Sequence, residues 1–144
     1  MSSSFQFLDD IALADIAFEA KGDSAEELFY AATRALLETL ADPTTVEDEW
    51  ERKIQCAGDD LASLLFEWLS EIVYWKDAEG VVFHDAQLRL RQDNGKWFLV
   101  ARLQGAPVDR VRQELRNDVK GITKHLYEVR QDGLQWRARV VLDV

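Results

Sequence analysis

The side chains of this chain that could do chemistry are carboxylates. Within Leu13 to Gly22, LADIAFEAKG, Asp15 stands alone inside an otherwise apolar run. Read with a period of two, Ala14, Ile16, Phe18 and Ala20 share one side of a strand, and Asp15, Ala17, Glu19 and Lys21 share the other. A carboxylate among apolar neighbours costs free energy unless something pairs with it, so Asp15 is a candidate site residue. A solvated strand face is the plainer alternative. Asp143 is the second candidate, on a strand of apolar and arginine residues, and Val144 follows it. If Val144 ends the chain, its α-carboxylate and carbonyl are further hard oxygen donors. Such a set suits calcium or magnesium rather than zinc or copper. Pairing of Asp143 with Arg137 or Arg139, a structural salt bridge, accounts for the same residues equally well.

Other constellations are absent. The sequence has no Walker A loop, no GxGxxG, no GxSxG and no HExxH. Two histidines, His84 and His125, are too few for a multi-histidine zinc site. The one cysteine, Cys56, has Ile54, Gln55 and Ala57 around it and no activating base, so a packed thiol is expected. Glu67 and Glu71 lie four apart on one helix side, and surface solubility explains them as well as metal binding does.

The elements that must position these residues are legible in turn. After the Asp15 strand, Ser24 with Glu27 forms a capping box, and Leu28, Phe29, Ala32, Leu36 and Leu40 give the following helix one buried stripe. Asp42-Pro43 stops it. Val46 to Ala57 is predicted as a strand. Asp59 or Asp60 then caps a second helix, with a wide apolar face of Leu61, Leu64, Leu65, Trp68, Leu69, Ile72 and Val73. Asp77 to Gly80 is read as a turn. Val81 to Gln92 and Lys96 to Leu103 flank Asp93-Asn94-Gly95, a strong hairpin signal. Gly105 to Asn117 is read as a connection. Asp118 to Arg130 and Leu134 to Val144 form a second hairpin, whose last strand sets Trp136, Ala138, Val140 and Leu142 on one face. The fold class expected is α+β, one domain over residues 1–144, a mainly antiparallel sheet with two helices packed on it.

At 144 residues with 47% apolar composition, the chain can bury a sizeable core. No apolar run reaches the ~18 residues of a membrane span, and MSSSFQFLDD lacks the basic and apolar regions of a secretory signal. A lone cysteine fits a reducing cytoplasm. The formal charge of −10 opposes phosphate backbones, so direct nucleic-acid binding is not expected unless a local basic patch overrides the net field. A divalent cation or a basic protein partner suits the sign better.

Taken in order, several segments resemble the archease family, small accessory proteins of the RtcB-type RNA-splicing ligase. They are Ala14-Asp15-Ile16, Glu26-Glu27-Leu28-Phe29, Asp42-Pro43, Leu64-Leu65 through Trp68-Leu69, and Asp77 to Phe83. Val119 to His125 and Ala138 to Val144 complete the set. The resemblance covers nearly the whole chain, and its specificity lies in order and spacing rather than in any one piece. Departures are Ala12-Leu13 where the family has His-Thr, Lys124 where it has tyrosine, and about Gln113 where it often has histidine. The resemblance implies a divalent cation, Ca2+ in the best-known form, held by Asp15, Asp143 and the main-chain carbonyl or terminal carboxylate of Val144. It implies a ligase-activating role for Lys120. It also implies a non-catalytic partner that promotes guanylylation of the ligase's own histidine and restores multiple turnover. A metal-dependent hydrolase or phosphotransfer enzyme using the same two aspartates, and a chaperone-like structural module, are the alternatives.

Overall fold

The computed structural model describes residues 2–9 and 15–144. The departure expected at Ala12-Leu13, and the start of the Leu13–Gly22 strand, lie outside the described residues. Two antiparallel sheets and two helices make one α+β domain, as the patterning predicts.

β1 (Ser3–Leu8) and β2 (Ile16–Gly22) pair with each other, and β2 pairs in turn with β8 (Gln135–Asp143). On the far side of β8 lie two short partners, β6 (Gly121–Ile122) near its end and β7 (Glu128–Asp132) near its start. The predicted Asp118 to Arg130 strand is therefore two pieces. Leu126 interrupts them with a φ of 54°, a left-handed backbone that a ladder does not accept. The second sheet has the order β3 (Trp50–Gly58), β5 (Lys96–Pro107), β4 (Val81–Asp93). Asn94 and Gly95 join β4 to β5 with φ of 53° and 78°, the positive pair that a two-residue hairpin turn needs. His84 bulges from β4, where the register shifts between Phe83 and Asp85. Gly105 stands opposite Phe83, and a Cβ there would run into the Val82 carbonyl, so only glycine fits beside the bulge.

Helix α1 (Ala25–Leu40) starts where the capping box places it. The Glu27 amide donates to Ser24 Oγ at 3.1 Å, and Glu27 Oε1 accepts from the Asp23 amide at 3.1 Å. All five predicted stripe residues are buried. Helix α2 (Leu61–Glu79) is capped by Asp60, whose Oδ1 accepts the Ser63 amide at 2.7 Å. That bond holds the Asp60 carboxyl below its usual range. The helix runs through the residues read as a turn and ends at Gly80, left-handed at φ 63°. A glycine one step past a helix is a stop signal, so the acidic run before it belongs to the last turn. Buried between the helices, Trp68 Nε1 donates to Thr33 Oγ1 at 2.9 Å, and Thr33 Oγ1 donates to the Phe29 carbonyl. One core joins both helices to the inner faces of both sheets, from Phe18 and Val140 to Ile54 and Leu103.

Candidate metal centre

The geometry of the site follows from the β2–β8 seam. Phe18 and Ala20 of β2 and Ala138, Val140 and Leu142 of β8 all point into the core, which locks the register. Ile16 pairs with Leu142 as the last rung on β2. The paired register ends there: Asp15 is the residue before β2, and Asp143, the last residue of β8, pairs with Gly121 of β6. The neighbourhood expected of the two strands is thus present, although Asp15 precedes β2 rather than lying within it.

The competing salt-bridge reading of Asp143 does not match the arginines. Arg137 reaches Glu19 at 3.3 Å and Asp132 at 3.5 Å, and Arg139 Nε donates to the Leu126 carbonyl at 2.8 Å. Among the described residues neither Asp15 nor Asp143 has an ion-pair partner within 4.0 Å. No group of three or more His, Cys, Asp or Glu side chains is arranged for a metal among the described residues. A cation here would therefore have two carboxylates, main-chain oxygen and water, an all-oxygen set that fits calcium or magnesium. The Val144 side chain packs against the core, partly buried.

Lys120 is exposed, and its amide donates to the Asp143 carbonyl at 2.7 Å. Its backbone is thus tied to the residue whose side chain is the second candidate ligand. The residues just before Lys120 are held by one not foreseen from the sequence, Lys76. Its ammonium is buried and donates to the Val119 carbonyl at 2.6 Å, with Asp118 Oδ1 at 2.6 Å and Asp77 Oδ1 at 2.8 Å. A usable signal existed: Lys76 lies four residues after Ile72, on the apolar stripe, where a lysine needs a partner. Asp15 lines a cavity of about 380 Å³ together with Asp9, Glu38, Thr39, Arg116 and Asn117. Arg116 is anchored there by Glu38 at 2.9 Å and Glu114 at 2.8 Å.

The remaining candidates take structural positions. Cys56 is buried in the core cluster, and burial, with Glu67 and Glu71 nearby, pushes its thiol up to about 12. Asp42 caps the turn Pro43–Thr45, accepting from the Thr44 amide at 3.0 Å and hydroxyl at 2.8 Å, which lowers its carboxyl. Gln113 folds into its own loop, its Nε2 donating to the Pro107 carbonyl and its Oε1 accepting from the Asp109 amide. Lys124 lies 3.9 Å over the Phe66 ring, so the lysine that departs from the family pattern packs as a cation on an aromatic face. His84 is exposed, with Nδ1 3.2 Å from the Pro43 carbonyl, and His125 is exposed.

The Archease protein family model matches residues 5–144. The chain is 35% identical over 133 residues to protein archease of Pyrococcus furiosus, covering 91% of this chain and 93% of that protein. It superposes on the solution structure of Methanobacterium thermoautotrophicum protein 1598 with a TM-score of 0.85 at 30% identity, covering 98% of this chain and 99% of that one. A crystal structure described as an archease, possible chaperone, from Thermotoga maritima matches with a TM-score of 0.62 at 22% identity, over 95% of this chain and 96% of that one. The last is a likeness of fold alone.

Proposed function

Because the chain belongs to the archease family, we propose that it is a metal-binding, non-catalytic accessory protein that activates an RtcB-type RNA-splicing ligase. The observation that supports this most is the β2–β8 pairing, with Asp15 next before β2 and Asp143 last in β8, neither carboxylate having an ion-pair partner among the described residues. Asp15, Asp143 and the Val144 carbonyl would hold a divalent cation, Ca2+ by family resemblance. The bound ion supplies a positive centre with coordination positions left for water or a phosphate oxygen. Lys120, tethered at its amide to Asp143, adds an ammonium charge for the same kind of anion. The acidic body, −10 overall, complements a basic, RNA-binding partner.

Single- and multiple-turnover ligation by the cognate ligase, with and without this protein, tests the proposal. Stimulation of multiple turnover is expected, with loss of stimulation for Asp15→Asn. Equal rates with and without the wild-type protein would refute it. The Thermotoga maritima protein is described as a possible chaperone, which suggests a second reading here. That reading predicts that Asp15→Asn suppresses aggregation of an unrelated unfolded protein as well as wild type does. Its surface gives it little support: the large exposed apolar side chains Phe7, Tyr74, Val100, Val108, Val111, Leu126 and Leu134 are spread over β1, α2, β5, the 108–120 connection, the β6–β7 connection and the β7–β8 turn.

A further inference from the structure

The charge of the molecule is unevenly placed. In the β3–β5–β4 sheet, Ile54, Cys56, Leu99, Ala101, Leu103 and Ala86 face the core, so the alternate residues form an open outer face. That face carries Lys53, Arg89, Arg91, Lys96 and Arg102, all exposed. Five of the 17 lysines and arginines thus share a surface with three of the 27 aspartates and glutamates, Glu51, Asp85 and Asp93, of which Asp85 is engaged by Tyr30 and Arg34 of α1. Glu51 reaches Arg102 at 3.4 Å and Asp93 reaches Arg91 at 3.9 Å. Among the described residues, Lys53, Arg89 and Lys96 have no ion-pair partner. Glu26 stands at the rim, where its Oε2 accepts the Leu90 amide at 3.0 Å.

The arrangement costs stability in the isolated chain. Lys53 is directly opposite Arg102 in the β3–β5 register, and Arg89 is diagonal to Arg102 across β4–β5. Like charges so placed on one sheet face repel, and fold alone gives no reason to keep them. A bound polyanion removes that repulsion. Arg91 lies 4.4 Å over the Phe98 ring on the same face, Val100 is 39% exposed, and Gln55 and Gln87 flank the cations. A concavity of about 490 Å³ opens among Lys53, Gln87, Arg89, Val100 and Arg102, with the Glu26 carboxylate also in its lining. Arginine forks for phosphate oxygens, with an aromatic and amides for unpaired bases, are the parts a single strand engages.

We propose that the outer face of the β3–β5–β4 sheet is a docking surface for the phosphate backbone of single-stranded RNA. The choice of RNA over DNA rests on the ligase reading; the docking of a nucleic-acid strand does not. The net charge does not forbid it, because at physiological salt the Debye length is about 8 Å and the acidic surfaces elsewhere are largely screened from this face. Contact is weak, on the order of 10⁻⁴ M, and becomes effective when a partner that holds RNA raises its local concentration.

The test uses the isotopically labelled chain alone, titrated with an oligouridylate of about 12 nucleotides and followed by amide chemical shifts. Shifts confined to the outer-face residues are expected, with a slope of log affinity against log salt near −2 for about three displaced counterions. The variant Lys53→Gln/Arg89→Gln/Arg102→Gln should bind at least tenfold more weakly, with a melting temperature equal to or above that of wild type. A control that removes equal charge elsewhere, Lys21→Gln/Arg110→Gln/Arg130→Gln, should bind as wild type. No shifts at millimolar RNA, equal loss in both variants, or shifts of the same face on dilution without RNA would overturn the proposal. Equal or stronger response to a polyglutamate peptide would assign the face to an acidic protein, and tighter binding of oligothymidylate would overturn the choice of RNA. No ligase and no metal enter this measurement, so its failure and that of the activation proposal are separate results.

Discussion

At the scale of single residues, position on the ladder decides which carboxylates can act together. Asp42 illustrates the contrast, since both its bonds to Thr44 are spent on capping, whereas Asp15 and Asp143 are spent on nothing described. Lys120 is exposed and held by its backbone, so Lys120→Ala should leave urea stability within about 0.5 kcal/mol while lowering ligase stimulation. Lys76 predicts the opposite pattern. Lys76→Met strands the buried Val119 carbonyl without a donor, and a loss of ~1–3 kcal/mol is expected, measured by urea unfolding. Cys56 gives a pH dependence. Its folded thiol is raised to about 12 above an ordinary value of about 8.5, so its contribution is whole below about 8.5 and is lost as pH rises toward about 12. Tyr127, raised chiefly by burial, has the same sign. Unfolding midpoints should fall above about pH 9, and fall less steeply in Cys56→Ala. The aspartates were legible in sequence because each interrupts an apolar run. Lys76 was not read, although its place on the α2 stripe marks it.

At the scale of elements, the helices were legible because cap, stripe and stop agree. Ser24→Ala should cost about 1 kcal/mol, seen as a fall of about 3 °C in melting temperature, since it strips the Glu27 amide of its acceptor. The hairpin at Asn94-Gly95 was equally plain, because positive φ at two successive positions restricts the residues that fit. Two expectations failed for local reasons. The Asp77 to Gly80 segment is rich in polar residues, but the helix needs no apolar side chain to continue to its glycine stop. The stretch from Asp118 to Arg130 alternates like a strand, yet pairing with β8 occurs only at its two ends, and the left-handed Leu126 separates them. Strand adjacency between β2 and β8 is a long-range fact that periodicity does not carry; the shared burial of Phe18 with Val140 sets it.

At the scale of the whole molecule, β2 and the last strand, β8, meet at one seam, and the proposed site depends on that pairing. The α+β architecture and the family are the firm ground, and the cation is what the activation proposal adds to them. Calcium titration calorimetry of the wild-type chain, Asp15→Asn and Asp143→Asn tests the shared site without needing a ligase. Each substitution keeps shape and removes one charge, and the exposed strand end should keep its stability. The account predicts measurable calcium binding by wild type and at least a tenfold loss in both variants. Equal affinity in all three chains would contradict it, because a cation that ignores both carboxylates is not held at the β2–β8 seam.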